Sequence, residues 1–273
     1  MIVWLASYPR SGNTLTRTIF KNVFGIETYS DEKKPDQVWK ETHDIVGHVE
    51  FDGNWHNVYQ QMKSSNKVYY VKTHLPPLDN SQAIYIVRDG RMSSISYYHY
   101  MNKFFPGANR TILDILVGND YYEDWTTHFN HWNPINRPNT LLVKFEDILL
   151  KSDQVITKIE NFLDIKKITE WKNPFDELNN KDPKFFRQGQ TSWQNPNEWS
   201  YLHEMVFQIK HLPLMNMLGY NYDAHVAENI AEKDIQEILS MSEKILSDKK
   251  MFEQAAYERL DLINRLNKQH KGK

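Results

Sequence analysis

The stretch Ile2-Val-Trp-Leu-Ala-Ser-Tyr-Pro-Arg-Ser-Gly-Asn-Thr-Leu-Thr-Arg-Thr-Ile-Phe20 changes character twice. Ile2 to Ala6 is an apolar run of branched and aromatic residues, the pattern of a parallel strand buried on both faces. Tyr8 to Thr14 breaks that run, because Pro9 fixes φ and Gly12 permits a tight turn. From Leu15 onward Leu15, Ile19, Val23 and Phe24 recur at helical spacing. Strand, short turn and helix N-terminus together make an anion cradle. The first N–H groups of a helix lack intrahelical partners, and its dipole is positive at that end. Arg10 adds a planar cationic fork suited to phosphate or sulfate. Read alone, the same stretch is equally an ordinary strand–turn–helix with a surface arginine.

Length and composition narrow the classes. A chain of 273 residues holds one large α/β domain with a helical extension, expected as a domain over 1–225 and a C-terminal extension over 226–273. An apolar share of 40% supplies a substantial core. A net charge of -2 argues against general nucleic-acid binding, which needs a strong positive field. The chain has no cysteine, which removes disulfides and thiolate metal sites. No run approaches the ~20 apolar residues of a membrane span, and Met1 leads directly into the first strand. The expectation is a cytoplasmic protein that binds neither membrane nor nucleic acid.

Farther along, residues 25–66 form a loop-rich excursion with a short helix near Trp55–Met62. Its Trp39, His43, His48, Phe51 and Trp55 either line a pocket or pin the excursion down. Val68 to Val71 is a short strand, and Pro76-Pro77 ends regular structure beyond it. Lys72, Thr73 and His74 therefore stand at a strand's C-terminal end, the edge of a parallel sheet where ligand crevices form. A neutral imidazole there can act as a general base, although the segment alone gives only a loop histidine bonded to backbone. Ala83 to Val87 is a further buried strand, Asp89-Gly90 a turn, and Arg91 to Tyr100 a helix. This sets Arg88 at a strand end and Ser96 on the helix that follows. Tyr121–Trp132 has a helical pattern, Asn139–Asp147 reads as a strand with an acidic end, and Ser152–Leu163 as a helix. Residues 171–200 make a long loop, of the kind that is usually a functional lid or disordered. From Ala227 the chain is a charged amphipathic helix or helix pair, which packs on the domain or on a partner subunit.

These blocks resemble, in order, those of the sulfotransferases that use 3′-phosphoadenosine 5′-phosphosulfate (PAPS). Tyr8 to Thr14 is similar to their phosphosulfate loop, Tyr-Pro-Lys/Arg-Ser-Gly-Thr/Asn-Thr. It is not a plain P-loop, since Ala6 occupies the place of the first Gly and Asn13-Thr14 that of Lys-Ser/Thr. Lys72-Thr-His-Leu-Pro76 resembles the segment that carries the catalytic histidine. Val87-Arg-Asp-Gly-Arg-Met-Ser-Ser-Ile-Ser-Tyr-Tyr98 resembles the 3′-phosphate motif, with Gly90 and Met92 where Pro and Asp are usual. Asn139–Asp147 resembles a Val-x-Tyr-Glu-Asp-Leu block with Phe145 in place of Tyr. Phe185–Trp193 resembles Arg-Lys-Gly-x-x-Gly-x-Trp, with Gln188 replacing Lys and Ser192 replacing Gly. His211–Tyr220 resembles the closing block. The tail lies outside the resemblance, and the family's Lys-x-x-x-Thr-Val-x-x-x-Glu dimer segment is not visible.

The resemblance implies a P-loop-like three-layer α/β sandwich around a central parallel sheet with a helical C-terminal tail. It implies PAPS as donor, PAP as product and no metal. Arg10, Ser11, Gly12, Asn13, Thr14 and Leu15 would hold the 5′-phosphosulfate. Arg88, Ser96, Arg187, Gln188 and Gly189 would hold the 3′-phosphate, more weakly for want of the lysine at 188, and Phe145 would stack on adenine. His74 would act as base, with Lys72 and Arg10 stabilising developing charge. The acceptor is expected to be a small molecule, sulfated on a hydroxyl or nitrogen. Natural-product tailoring enzymes, including those acting on guanidinium toxins, are among the relatives suggested. Tyr98, Tyr100, Phe104 and Phe105 suit a flat apolar acceptor, whereas Asp44, Glu50, Asp52 and Asp79 suit a cationic one. A homodimer partner fits the tail. The competing readings are a P-loop nucleotide kinase, which lacks its Gly-Lys-Ser/Thr here, and a non-catalytic nucleotide-binding protein, which has no need of Lys72-Thr-His74.

Overall fold

A computed structural model of the chain describes residues 1–31, 43, 46–174, 179, 191–222 and 229–271. Five parallel strands, β1 (Ile2–Ser7), β2 (Thr28–Ser30), β3 (Tyr69–Thr73), β4 (Gln82–Val87) and β5 (Thr140–Lys144), form one sheet in the order β2-β3-β1-β4-β5. The most apolar strand is the central one, and every residue of β1 is buried. It is flanked by β3, with Ala6 opposite Thr73, and by β4, with Ser7 opposite Ile86. Three chemically marked loops thus leave adjacent strands at one edge.

The alternation of β1 and β4 feeds two cores. Val3, Leu5, Ile84 and Ile86 pack against α1 (Asn13–Phe24) and the helix Ser152–Leu163, through Phe20, Val23, Ile156 and Ile159. Trp4, Ala6, Tyr85 and Val87 pack on the other face. There they meet Val58 of α2 (Trp55–Ser64), Tyr97 of α3 (Gly90–Phe104), Phe129 and Trp132 of the helix Trp125–Trp132, and Phe207 of the helix Tyr201–Met217. In chain order the remaining helices are α4 (Ile112–Val117), α5 (Trp125–Trp132), α6 (Phe145–Leu150), α7 (Ser152–Leu163), α8 (Tyr201–Met217) and α9 (Glu232–Lys271). Helices on both faces of a parallel sheet give the expected three-layer α/β architecture.

Two local expectations shift, and the tail takes one of its two expected forms. The helix expected over Tyr121–Trp132 begins only at Trp125, because Glu123 has φ of 59° and Asp124 caps the first turn by accepting from the N–H groups of Thr126 and Thr127. The strand expected to run to Asp147 stops at Lys144, and Phe145 opens α6 instead. The tail is one continuous helix over Glu232–Lys271. Gly90, where the resembled motif has Pro, has a packing reason: a Cβ there would lie 2.7 Å from Trp125 Cε3. No helix among the described residues is long and apolar enough to cross a membrane.

Candidate active site

The turn after β1 is shaped by backbone that few residues adopt. Arg10 has φ of 63° and Gly12 φ of 104°. A Cβ at Gly12 would come within 2.4 Å of Phe145 Cδ2, so only glycine lets the loop lie on that ring. Gly12 also precedes α1 without a capping side chain, and its carbonyl accepts the first helical bond, from Thr16 N–H. The N–H groups of Asn13, Thr14 and Leu15 form the open first turn, as anion binding requires. The side chains of this turn do other work. Asn13 Nδ2 donates to the Leu5 carbonyl at 2.7 Å and to Ser7 Oγ at 3.3 Å, and Ser11 Oγ lies 3.1 Å from Ser93 Oγ on α3. Asn13 and Ser11 thus lock the loop to β1 and α3; the Ser11 N–H closes the turn on the Tyr8 carbonyl at 3.3 Å, and the Asn13 N–H stays at the open end of α1.

Arg10, Arg88 and Ser96 meet, although they lie far apart in sequence. Arg10 Nε donates to Ser96 Oγ at 3.2 Å, and Arg88 Nη1 donates to the Arg10 carbonyl at 3.2 Å. Arg10 also lies 5.4 Å from the Tyr100 ring centroid, and Arg88 4.5 Å from that of Phe145. Arg88 is not paired to its neighbour Asp89, whose carboxylate is taken up by Arg91 Nε and Nη2 and by the Arg91 N–H. Burial lowers the Arg88 pKa, while Glu146 and Asp89 act in the other direction. Its Nε is buried without a hydrogen-bond partner among the described residues. A buried guanidinium with spare donors, beside Ser96, is suited to an anion. Glu146, itself raised by burial, accepts from Asp89 N–H and Tyr220 O–H and underpins this corner.

Lys72 is 1% exposed on β3, opposite Leu5 of β1. Two residues on, His74 Nδ1 lies 2.7 Å from the Ser7 carbonyl. A carbonyl can only accept, so the proton is on Nδ1 and the basic site of the neutral ring is Nε2. The loop carrying His74 is held from behind. His128 Nε2 donates to the His74 carbonyl at 2.9 Å, and Trp132 Nε1 donates to the Leu75 carbonyl at 2.9 Å. Tyr85 O–H supplies the proton that His128 Nδ1 accepts, at 2.8 Å. Burial, followed by the charge of nearby His74, lowers the His128 pKa to about 3, so it is a neutral donor. His128 and Trp132 act through backbone carbonyls of a distant loop, a role that no local pattern announces.

An aromatic wall extends from His74. The Tyr122 ring meets His74 edge-on with centroids 5.6 Å apart, and Tyr97, Tyr100, Phe104 and Phe105 continue it. Of the four carboxylates considered for a cationic acceptor, Asp44 lies outside the described residues, and Glu50 and Asp52 are exposed. Asp79 is bound by Trp4 Nε1, Tyr59 O–H and Lys63 beside the start of β4. The buried Asp120 near the wall is taken up by Tyr97 O–H and Arg110. Arg187, Gln188, Gly189 and Trp39 also lie outside the described residues. No cluster of three or more His, Asp or Glu that could hold a metal occurs among the described residues.

Comparison with known proteins agrees with this geometry. The model of the sulfotransferase domain matches residues 2–199. The chain is 26% identical over 179 residues to Sulfotransferase 6B1 of Danio rerio, covering 59% of this chain and 56% of that protein. It is 26% identical over 234 residues to Sulfotransferase 1E1 of Cavia porcellus, covering 77% and 72%. The first match thus spans less than two thirds of its relative's length. The mouse sulfotransferase SULT7A1, solved in complex with PAP, shares the fold, with a TM-score of 0.53, 20% identity and coverage of 79% of this chain and 86% of that one. Since one domain model takes in the loop after β1, the His74 segment and the Arg88 corner together, the chain belongs to the sulfotransferase family.

Proposed function

We propose that the chain transfers the sulfuryl group of PAPS to a hydroxyl, or a nitrogen, of a small-molecule acceptor. The observation that carries this is the Nδ1–H bond from His74 to the Ser7 carbonyl, at the mouth of the anion cradle. It makes Nε2 the basic nitrogen of a strand-end histidine beside a loop suited to an anion. When bound, PAPS supplies the sulfuryl group and PAP as leaving group. The N–H groups of Asn13 to Leu15 cradle its 5′ end, with Ser11 and Gly12 shaping the turn. Arg88 and Ser96 take the 3′-phosphate, with Arg187, Gln188 and Gly189 proposed as further contacts. Phe145, expected to stack on adenine, is 6% exposed and bears Arg88 and Gly12, so we assign it to supporting the cradle.

His74 Nε2 accepts the acceptor's proton as its oxygen attacks sulfur in line and the bond to the 5′-phosphate breaks. Lys72 and Arg10 stabilise charge on the transferring group and on the departing phosphate. Fixed cations aimed at developing charge commonly supply a large share of catalysis. We infer a flat apolar acceptor such as a phenol, because aromatic rings adjoin His74 while Asp79 and Asp120 are already bonded.

Calorimetry tests the nucleotide reading. PAP binds at least tenfold more tightly than AMP, and Arg88→Ala abolishes that preference at ~1.5–3 kcal/mol, the scale of a charged hydrogen bond. Equal affinities for PAP and AMP in the parent chain refute the assignment. PAPS consumption with phenols, alcohols, amines and guanidines then ranks acceptors, with phenols first.

A further inference from the structure

The helix α9 is 40 residues long, about 60 Å at 1.5 Å per residue. Its first turns are tied to the domain. Glu237 accepts from Leu113 N–H at 2.8 Å and pairs with His203 Nε2 at 2.9 Å, and Lys244 Nζ reaches Asp114 Oδ2 and the Asn109 carbonyl at 2.9 Å. These contacts use one side of the helix. About 150° around the helix lies a different stripe, made of Ile235, Ile238, Leu239, Ile245, Leu246, Tyr257 and Leu260. Every one of these is 37–73% exposed. Helical spacing gathers them within roughly 120° of the circumference. An apolar stripe of this length in water calls for a partner.

The charges along α9 specify which partner. Residues 232–248 carry five acidic and two basic residues, whereas 249–271 carry three acidic and six basic. An antiparallel copy lays each acidic half against the other's basic half and opposes the two helix dipoles. The middle of the stripe holds Lys249 and Glu253, 3.9 Å apart on one helix. Lys before Glu is the less favourable order for an intrahelical pair. Centring an antiparallel pair at the level of Met251 puts Lys249 of each copy opposite Glu253 of the other. The same register sets Ile245 against Tyr257, Leu246 against Ala256 and Ser242 against Leu260.

We propose that a second copy of this chain covers this stripe, as an antiparallel two-fold pair of α9 helices centred at Met251. The contact is isologous and self-limiting, so it closes at two chains. It uses residues away from the candidate active site and stands whatever the catalytic reading.

Light scattering on the full-length chain at micromolar concentration should give a dimer. K249E should weaken it at least tenfold, and the exchanged pair K249E with E253K should restore it. All the altered residues are exposed, so folding is not at stake. The absence of cysteine allows a clean test of direction. Ser242→Cys with Leu260→Cys should cross-link two chains on oxidation, while Ser242→Cys alone should not. Within one helix those positions lie ~27 Å apart and cannot bridge. A monomer at these concentrations, a dimer indifferent to K249E, failure of the exchange to restore it, or cross-linking by Ser242→Cys alone overturns the proposal.

Discussion

The two edges of the parallel sheet treat charge in opposite ways. Beside the start of β4, Asp79 collects hydrogen bonds from Trp4 Nε1, Tyr59 O–H, Lys63 Nζ, Ser81 N–H and Ser81 O–H. Arg137 closes the same corner by donating to the carbonyls of Asp79 and Ser81. There a single carboxylate is saturated by the protein itself. At the other edge Arg10 and Arg88 meet, with bonds to a hydroxyl and a carbonyl and contacts to ring faces. A chain whose net charge is only -2 has thus sorted its charge locally, closing one edge and leaving the other with donors suited to an anion. Net charge says little about such a site. What matters is where its cations and carboxylates are placed.

If the two edges divide function from stability in this way, substitutions should separate cleanly. The largest effect belongs to His74→Ala, expected to lower kcat by ~10²–10⁴, the usual share of a general base, with PAP affinity unchanged. Near-normal turnover in steady-state assays would return His74 to a structural role. The next effect is on stability against pH. Burial holds His128 near a pKa of about 3 and His211 near about 4, both below the unfolded value of ~6.5. Unfolding therefore takes up protons below that value. The stabilisation is complete above pH ~6.5 and falls as pH drops towards 4, by up to ~1.4 kcal/mol per pH unit for each histidine. Urea denaturation at pH 7 and pH 5 measures it, and equal stabilities would contradict neutral, buried imidazoles. The smallest effect is at the closed edge. Burial alone would raise the Asp79 carboxyl, but its donors, led by Lys63 and Trp4, hold it below the usual carboxylate range. Asp79→Asn should cost ~1–2 kcal/mol at pH 7, leaving PAP affinity intact. A loss of nucleotide binding in that variant would show the edges to be coupled.

What could be read from the residues was what is local. Ile2 to Thr14, Lys72 to His74 and Val87 to Tyr98 each contain a strand end and the polar residues just beyond it. The sheet order then brings those ends together without further information. The readings that moved depended on contacts across the fold. Phe145 is a helix start under Gly12 and Arg88, which no pattern within Asn139–Asp147 announces. Tyr122 belongs to an irregular segment, although Asp124 followed by Trp-Thr-Thr was a legible cap. His128 and Trp132 lie one helical turn apart and donate to successive carbonyls of the His74 loop, a relation invisible until α5 is docked.

The close approach of Gly12 to the Phe145 ring bears on timing during synthesis. The cradle leaves the ribosome more than a hundred residues ahead of the ring that forms its floor. At ~5–20 residues per second, the nascent chain spends on the order of ten seconds with its anion loop unsupported. The loop is thus supported only once β5 and the start of α6 have been made. A pause or truncation before residue 145 would leave the loop without its Phe145 floor.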